Sequence, residues 1–423
     1  MNYSWMPLDN AAKIYPAVQS KEFPIVFRIS VILKNPVNYT CLKHAIQKTE
    51  SRFPYFKVTL KKGFFWYYLE HVERPLLPAA DLYGYCRSFF LRRENNPFLF
   101  RITVIRNVLS VEFSHILSDG TGAMVFLTAL LAAYFSEKGF AADIPGLRLD
   151  APLTSEEFED AYNRYFKADI PSVVTYTKAF HLPYKLSEIP RFHTLVAYLS
   201  LYNIQCKAKE KGVSITDYLI AVYLFVLQQI YNELPRYSPY RKRNILRVQV
   251  PVNLRRIYPT LSLRNFSLFV LPEIDLRLGH YSFDEIVKIV HHKMVLETDE
   301  KLINKIIARN VGSEKNLFVR GIPLFLKNLI LKWKYYTQGT NQYSGVVTNL
   351  GRVDLPDEMA EQISHFVFIP PPPNKKLKVN CGVIGFQDEL VISFGNITAS
   401  RDLEKRFFRF ITSQGIHVKL TVY

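Results

Sequence analysis

One short stretch of the sequence carries side chains that could do chemistry, residues 114–120 with the letters SHILSDG. Histidine titrates near neutral pH without perturbation, so the imidazole of His115 suits removal of a proton from a hydroxyl that attacks a thioester. A core histidine, hydrogen-bonded at a strand end beside an ordinary turn at Asp119 and Gly120, fits the same short pattern. Both interpretations stay open on this spacing alone.

The elements around His115 favour a catalytic position. Residues 108–114 read as a strand that runs straight into the histidine. A break at residues 120–122 follows, and residues 123–135 are apolar nearly all round, which predicts a helix buried inside a domain. The imidazole is therefore expected where a strand opens onto a loop, a frequent location of catalytic groups.

No activated nucleophile accompanies the histidine. Ser118 follows His115 by three positions, and the G-x-S-x-G elbow is missing from the sequence. The sequence therefore predicts direct transfer between two bound substrates, without an acyl-enzyme.

Length and alternation of elements predict a mixed α/β protein with two domains. The chain has 423 residues, a length greater than one hydrophobic core usually supports, and 48% of the residues are hydrophobic. Strands and helices alternate in both halves, and prolines punctuate the stretch between them. We predict an N-terminal domain at residues 1–165, a linker at 166–190 and a C-terminal domain at 191–423.

Composition excludes several classes of protein. Four cysteines lie far apart with no clustered histidines, so neither a disulfide framework nor a metal site is expected. The first residues lack a basic stretch followed by an apolar one, and the apolar runs are shorter than the roughly 20 residues that cross a bilayer. We therefore expect a cytoplasmic protein without a transmembrane segment.

The net charge of +17 indicates an anionic partner. Coenzyme A, with its phosphates, fits this charge, whereas nucleic acid is suggested by charge alone because no zinc finger or RNA-recognition signature accompanies it. The basic residues are scattered in small groups: Lys61 with Lys62, Arg92 with Arg93, residues 241–243, Arg255 with Arg256, and residues 375–378.

The chain resembles the coenzyme A-dependent acyltransferase superfamily, which includes BAHD acyltransferases, chloramphenicol acetyltransferase and the condensation domains of peptide synthetases. His115, Asp119 and Gly120 match its H-x-x-x-D-G signature. The bacterial proteins described as alcohol acetyltransferase-like are the most similar, and the likeness extends over most of the chain. Supporting segments follow in the same order: LDNAAK at 8–13, KGVSIT at 211–216, PVNLRR at 251–256, NFS at 265–267 and TNLGRV at 348–353.

The resemblance implies two chloramphenicol acetyltransferase-like α/β domains with mixed sheets and an active-site tunnel between them. It implies that His115 is the general base and that Asp119 and Gly120 shape its loop. Asp119 is expected to pair with an arginine, for which Arg255 is the choice, although Arg255 on the surface beside another acid is an equal alternative. Thr348 and Asn349 are candidates for contact with the substrate or the oxyanion.

Two departures from the family pattern bear on the donor. Condensation domains generally have a second histidine where this chain has Ser114, which favours coenzyme A over a carrier protein. The late D-F-G-W-G motif of plant BAHD enzymes is missing.

The resemblance implies an acyltransferase of the alcohol O-acetyltransferase type. It would move an acyl group from acyl-coenzyme A, a co-substrate and not a resident cofactor, to a small alcohol or amine. The alternatives are transfer from an acyl carrier protein and a non-catalytic binding protein on the same fold.

Overall fold

The computed structural model describes residues 4–81, 86–89, 97–171 and 176–422. The basic pair Arg92 and Arg93 lies outside the described residues.

The strands of the described residues, in chain order, are β1 Trp5–Pro7, β2 Val26–Leu33, β3 Val58–Lys62, β4 Tyr67–His71, β5 Ala79–Ala80, β6 Phe100–Ile105, β7 Val108–Ser114, β8 His193–Ser200, β9 Ile245–Asn253, β10 Ser267–Val270, β11 Glu273–Asp275, β12 Gly345–Val353, β13 Ile363–Ile369, β14 Val379–Phe386, β15 Glu389–Asn396 and β16 Lys419–Val422.

The α-helices are α1 Tyr15–Val18, α2 Tyr39–Arg52, α3 Gly120–Glu137, α4 Ala161–Arg164, α5 Leu201–Glu210, α6 Ile215–Asn232, α7 Phe283–Glu297, α8 Glu300–Lys315, α9 Leu317–Gly321, α10 Leu324–Lys334, α11 Asp357–Ala360 and α12 Asp402–Ser413. A π-helical turn, Tyr335–Gly339, continues directly from α10.

The strands form three sheets. The first has the order β13-β2-β7-β6-β5, and the second has β10-β9-β12-β14-β15-β8-β16 with β11 also paired to β9. The strand β12 runs parallel to both of its neighbours, whereas β14, β15, β8 and β16 pair antiparallel, so the second sheet is mixed. A small antiparallel sheet, β1-β4-β3, completes the set. The predicted mixed α/β class is confirmed.

One strand of the second half lies in the first sheet. The strand β13 pairs antiparallel with β2, although its residues fall inside the predicted C-terminal domain of 191–423. It also contacts the second sheet, where Ser393 Oγ donates a hydrogen bond to the carbonyl of Phe368. For residues 363–369 the predicted contiguous boundary is therefore wrong, because backbone pairing takes this strand across to the first sheet. The rest of the proposed division stays a prediction.

The helix that follows the histidine is the core helix of the first sheet. Its buried side chains include Phe126, Leu127, Leu130 and Leu131, as the apolar pattern of residues 123–135 predicts. Among the described residues α3 is the one unbroken helix long and apolar enough to cross a membrane, and 61% of its apolar window is buried inside the protein.

A cluster of charges is buried within the first sheet. The guanidinium of Arg28 lies 3.3 Å from the Glu112 carboxylate, and that of Arg101 lies 2.9 Å from it. Glu112 also accepts a hydrogen bond from the Cys86 backbone at 2.7 Å, and Arg28 pairs with Asp81 as well. One buried carboxylate therefore contacts two buried cations, and Arg28 has Asp81 as a second anion.

Glu112→Ala is expected to lower the free energy of unfolding by about 3–5 kcal/mol, because it breaks a buried ion-pair network by removing the carboxylate that contacts both Arg28 and Arg101. The half-exposed pair of Lys61 and Glu70, 3.0 Å apart, provides the control. Glu70→Ala should cost about 1 kcal/mol or less, since surface ion pairs contribute little. Denaturant unfolding of both variants measures the difference, and equal losses would show that the buried cluster does not stabilise the sheet.

Candidate functional site

Both halves of the chain hold the backbone of His115. The residue comes directly after β7, and its N–H donates to the Ile25 carbonyl at 3.1 Å. Its own carbonyl accepts a hydrogen bond from the Asn265 side chain at 2.9 Å. The histidine therefore lies where the first sheet meets a loop of the second half.

Aromatic rings surround the imidazole. The ring of Phe27 lies 4.7 Å from it and that of Tyr15 lies 5.7 Å from it, measured between ring centroids. The residue keeps partial contact with solvent. Burial, together with the charges of Asp9 and Asp119, raises the pKa of Tyr15, so a protonated phenol faces the histidine.

Burial lowers the pKa of His115 to about 4. The charge of Asp119 and hydrogen bonds from the imidazole to the Asn265 side chain and the Ser118 backbone oppose this shift, but they are smaller than the cost of desolvating the imidazolium. The imidazole is consequently neutral at physiological pH. A neutral imidazole can accept a proton, which is the state that a general base requires.

The Asp119 carboxylate holds the loop in shape. Its Oδ1 accepts from the Gly122 backbone N–H at 3.0 Å and so caps α3, the helix that begins at Gly120. Its Oδ2 accepts from the Phe266 backbone N–H at 2.9 Å and from Arg255 Nη1 at 2.8 Å. Both oxygens are thus engaged in positioning backbone and arginine.

Arg255 pairs with Asp119 in the structure, whereas the sequence left a surface position open. The guanidinium also binds the loop that follows it: Nε donates to the Ser262 carbonyl at 2.8 Å and Nη2 donates to the Arg264 carbonyl. Nη1 reaches Asn253 Oδ1 at 3.2 Å as well. Arg255 therefore joins the loop of residues 262–266 to the histidine loop.

The loop after His115 is packed closely around its two glycines. A Cβ on Gly120 would lie 2.5 Å from the Leu350 side chain, and one on Gly122 would lie 2.1 Å from the Leu263 carbonyl oxygen. The Ser118 hydroxyl donates to that same carbonyl at 2.5 Å. The stricter steric constraint applies to Gly122, for which the sequence predicted no role of its own, although the letters G-T-G are visible at residues 120–122.

The structure gives Asn349 a local partner set. Its amide Nδ2 donates to Thr216 Oγ1 at 3.0 Å, and its Oδ1 accepts from the Gly351 N–H at 2.8 Å. The pairing of β12 with β14 shifts register here, between Asn349 and Arg352. These contacts join Asn349 to the bulge, and the nearby residue that touches the histidine loop is Leu350, against Gly120. The suggested contacts of Thr348 and Asn349 with substrate stay a prediction.

Two residues without a predicted role, Asp9 and Asn265, form a hydrogen-bonded chain that ends at the backbone of the site. Asn265 Nδ2 donates both to the His115 carbonyl and to Asp9 Oδ2, each at 2.9 Å. Burial raises the pKa of Asp9 to about 6, although the charge of Arg264 lowers it. Both residues fall in segments that carried the family resemblance, so the only signal in the sequence was that likeness.

An open cleft of about 820 Å³ lies elsewhere. Its lining includes Trp5, Trp66, Tyr67 and Tyr68 and none of the predicted site residues. The assignment of the site to His115 therefore depends on the chemistry and hydrogen bonding of the histidine loop. The described residues include no group of three or more His, Cys, Asp or Glu that could hold a metal.

Asp119→Asn is expected to lower activity but to keep an acid limb in the pH profile, shifted if anything to lower pH, because Asp119 positions groups and its charge raises the pKa of His115. An asparagine has one acceptor oxygen for three donors, so at least one donor is left unsatisfied. We expect the melting temperature to fall as well. The matched control is Asp150→Asn, which removes an exposed partner of Arg148 and should change neither. Loss of the acid limb in Asp119→Asn, with the residual activity independent of pH, would assign Asp119 to proton transfer.

No family model and no curated protein matches the sequence. Solved structures do match over nearly the whole chain. Polyketide synthase associated protein 5 from Mycobacterium tuberculosis aligns with a TM-score of 0.62 and 13% identity over 97% of both chains. TRI101 of F. sporotrichioides, solved with coenzyme A and T-2, aligns with a TM-score of 0.60 and 10% identity over 98% of this chain and 99% of that one.

The first condensation domain of the CDA synthetase aligns with a TM-score of 0.59 and 14% identity, over 98% of this chain and 97% of that one. At such identities the likeness concerns the fold. The chain therefore has the fold shared by condensation domains and TRI101, the fold that its resemblance to the coenzyme A-dependent acyltransferase superfamily implied.

Proposed function

We propose that this chain is a cytoplasmic acyltransferase that moves an acyl group, acetyl first among the candidates, from coenzyme A to a small alcohol or amine. His115 acts as the general base. The observation that carries the proposal is a neutral, partly accessible imidazole held at the meeting point of the two halves by Ile25 and Asn265. Nothing in this arrangement needs a resident cofactor.

The proposed reaction balances without a covalent enzyme intermediate. The imidazole takes the acceptor proton as the acceptor oxygen or nitrogen forms a bond to the thioester carbonyl carbon. The tetrahedral intermediate then breaks its carbon–sulfur bond, and the imidazolium returns the proton to the leaving thiolate. The products are an ester or amide and a free thiol.

The serine and the buried cysteines support direct transfer. The hydroxyl of Ser118 is used in its hydrogen bond to Leu263, so it is not poised for attack. Burial raises the pKa of both Cys86 and Cys381, which keeps them as unreactive thiols.

Coenzyme A is the favoured donor because Ser114 stands where condensation domains generally have a second histidine, and because TRI101 was solved with coenzyme A. We propose that Arg256 binds a phosphate of the donor, since its guanidinium lies beside Gly351, next to the Leu350 that contacts the histidine loop.

The match to condensation domains favours a second candidate, transfer from an acyl carrier protein. Turnover of acetyl-coenzyme A and of an acetylated carrier protein, side by side, separates the two donors.

His115→Ala is expected to reduce turnover by about a hundredfold to ten-thousandfold, the usual contribution of a general base. Coenzyme A binding should be nearly unchanged, because the imidazole meets the acceptor proton and does not bind phosphate. The measurements are turnover of acetyl-coenzyme A with a panel of alcohols and amines, and calorimetric binding of coenzyme A.

The control is His280→Ala, which removes an exposed histidine near the side chain of Asn232 and should leave turnover unchanged. Wild-type turnover by His115→Ala, on an acceptor that the wild type uses, would refute the mechanism. Absence of turnover by the wild type with every donor, together with tight coenzyme A binding, would favour a non-catalytic binding protein.

The pH dependence of kcat/KM should reflect the lowered pKa of His115. Because the free imidazole stays neutral down to about pH 4, activity should hold constant from pH 7 to about pH 5 and fall only below that. The check is kcat/KM against pH with an acceptor that does not ionise in this range, with circular dichroism to confirm folding. An acid limb near the ordinary histidine value of about 6.5 would show that the base is a solvated imidazole and not this one.

A further inference from the structure

One surface of the molecule is apolar where a folded protein is usually polar. It consists of α9, α10 and the turn between β3 and β4, and we call it the α10 surface. Its exposed large side chains are Phe64, Phe65, Leu317, Phe318, Phe325, Leu326, Leu329, Ile330 and Trp333. Contiguous exposed apolar groups of this extent mark interaction sites.

The helix α10 turns Lys327 inward and most of its large apolar residues outward. Lys327 is 2% exposed, and its ammonium donates to the Phe65 carbonyl at 3.0 Å and lies 3.6 Å from the Trp66 ring centroid. Phe325, in contrast, is 68% exposed and Trp333 is 59% exposed. Lys327 therefore occupies the side of α10 that faces the protein, and Phe325 and Trp333 lie on the side that faces outward.

Hydrogen bonds join the turn and the helix into one surface. The Leu324 N–H donates to the Phe64 carbonyl at 2.9 Å, and Asn328 Nδ2 donates to Tyr67 OH at 3.0 Å. The apolar side chains of the two elements thus share a common support.

The charges along this surface have one sign. Residues 315–334 contain no Asp or Glu and five basic residues, Lys315, Arg320, Lys327, Lys332 and Lys334. Arg320, Lys332 and Lys334 are exposed and form no ion pair with the residues that the structure describes. Lys62 adds a further exposed cation beside Phe64.

We propose that the α10 surface docks on an anionic membrane, with Phe325, Leu329 and Trp333 inserted at the level of the headgroups. An apolar helix face bordered by lysine and arginine is the pattern of interfacial helices, and tryptophan favours the boundary between headgroup and acyl chain. Basic residues near the membrane are attracted by anionic lipids.

A second copy of the chain fits this surface poorly. Two α10 surfaces in contact would bring Arg320, Lys332 and Lys334 of each copy against the same cations of the other, and like charges oppose such an interface. An anionic lipid surface supplies both the apolar layer and the opposite charge. The docking proposal does not depend on the acyltransferase activity.

Docking here would bring the membrane close to the histidine. The helix α10 packs against α1, whose Tyr15 ring lies 5.7 Å from the His115 ring. The π-helical turn after α10 carries Tyr335, whose ring lies 6.2 Å from that of Phe23. The surface is therefore one helix away from the candidate site.

The test is sedimentation of the full chain with vesicles of phosphatidylcholine alone and of phosphatidylcholine mixed equally with phosphatidylglycerol. The wild type should bind the anionic vesicles, and more weakly at high salt because exposed charges are screened. The variant Phe325→Ser/Leu329→Ser/Trp333→Ser should bind at least about tenfold more weakly, since it loses three apolar insertions. Lys332→Glu/Lys334→Glu should lose its preference for the anionic vesicles.

The matched control is Tyr237→Ser/Leu278→Ser, which removes two side chains of similar exposure outside the α10 surface. It should bind like the wild type, and circular dichroism should show every variant folded. The proposal is overturned if the wild type does not bind anionic vesicles, or if the control loses as much binding as the triple variant. Binding of an acidic carrier protein that the triple variant loses, without vesicle binding by the wild type, would assign the surface to a protein partner.

Discussion

The carboxylate of Asp119 is the constraint on which the candidate site depends. It accepts hydrogen bonds from Gly122, Phe266 and Arg255, so it caps the core helix of the first sheet and binds the loop that follows β9. Because these donors come from both halves of the chain, the position of His115 and the contact between the halves are determined together. The same arrangement explains why Asp119 is unsuited to carrying protons, since both of its oxygens are already engaged.

Burial, more than any charged neighbour, determines the chemistry of the histidine. The imidazole lies against Phe27 and Tyr15, and the cost of desolvating its charged form exceeds the stabilisation that Asp119 offers. The result is a base that is neutral at physiological pH and still ordered by hydrogen bonds to its backbone. Asn265 completes this support by linking the His115 carbonyl to Asp9.

The two most informative helices use apolar residues in opposite ways. In α3 they fill the core of the first sheet, and Asp119 at the N-terminus of the helix joins it to the loop of His115. In α10 Lys327 faces the protein and most of the large apolar residues face outward. Both helices are rich in leucine and aromatic residues, although α10 also carries three lysines, and the packing partners determine which way the apolar residues face.

The sequence by itself determined the mixed α/β class, the strand at residues 108–114 and the buried helix after His115, because local hydrophobic periodicity survives in almost any fold. Its H-x-x-x-D-G spacing also indicated which residues to examine. Only the tertiary structure placed β13 in the first sheet, chose Arg255 as the partner of Asp119, revealed Asp9 and Asn265 and made Gly122 the stricter glycine. Each of these depends on contacts between residues far apart in the chain, and such contacts leave no period in the sequence. The outward orientation of the apolar face of α10 also depends on a tertiary contact, the packing of the Lys327 ammonium over the Trp66 ring.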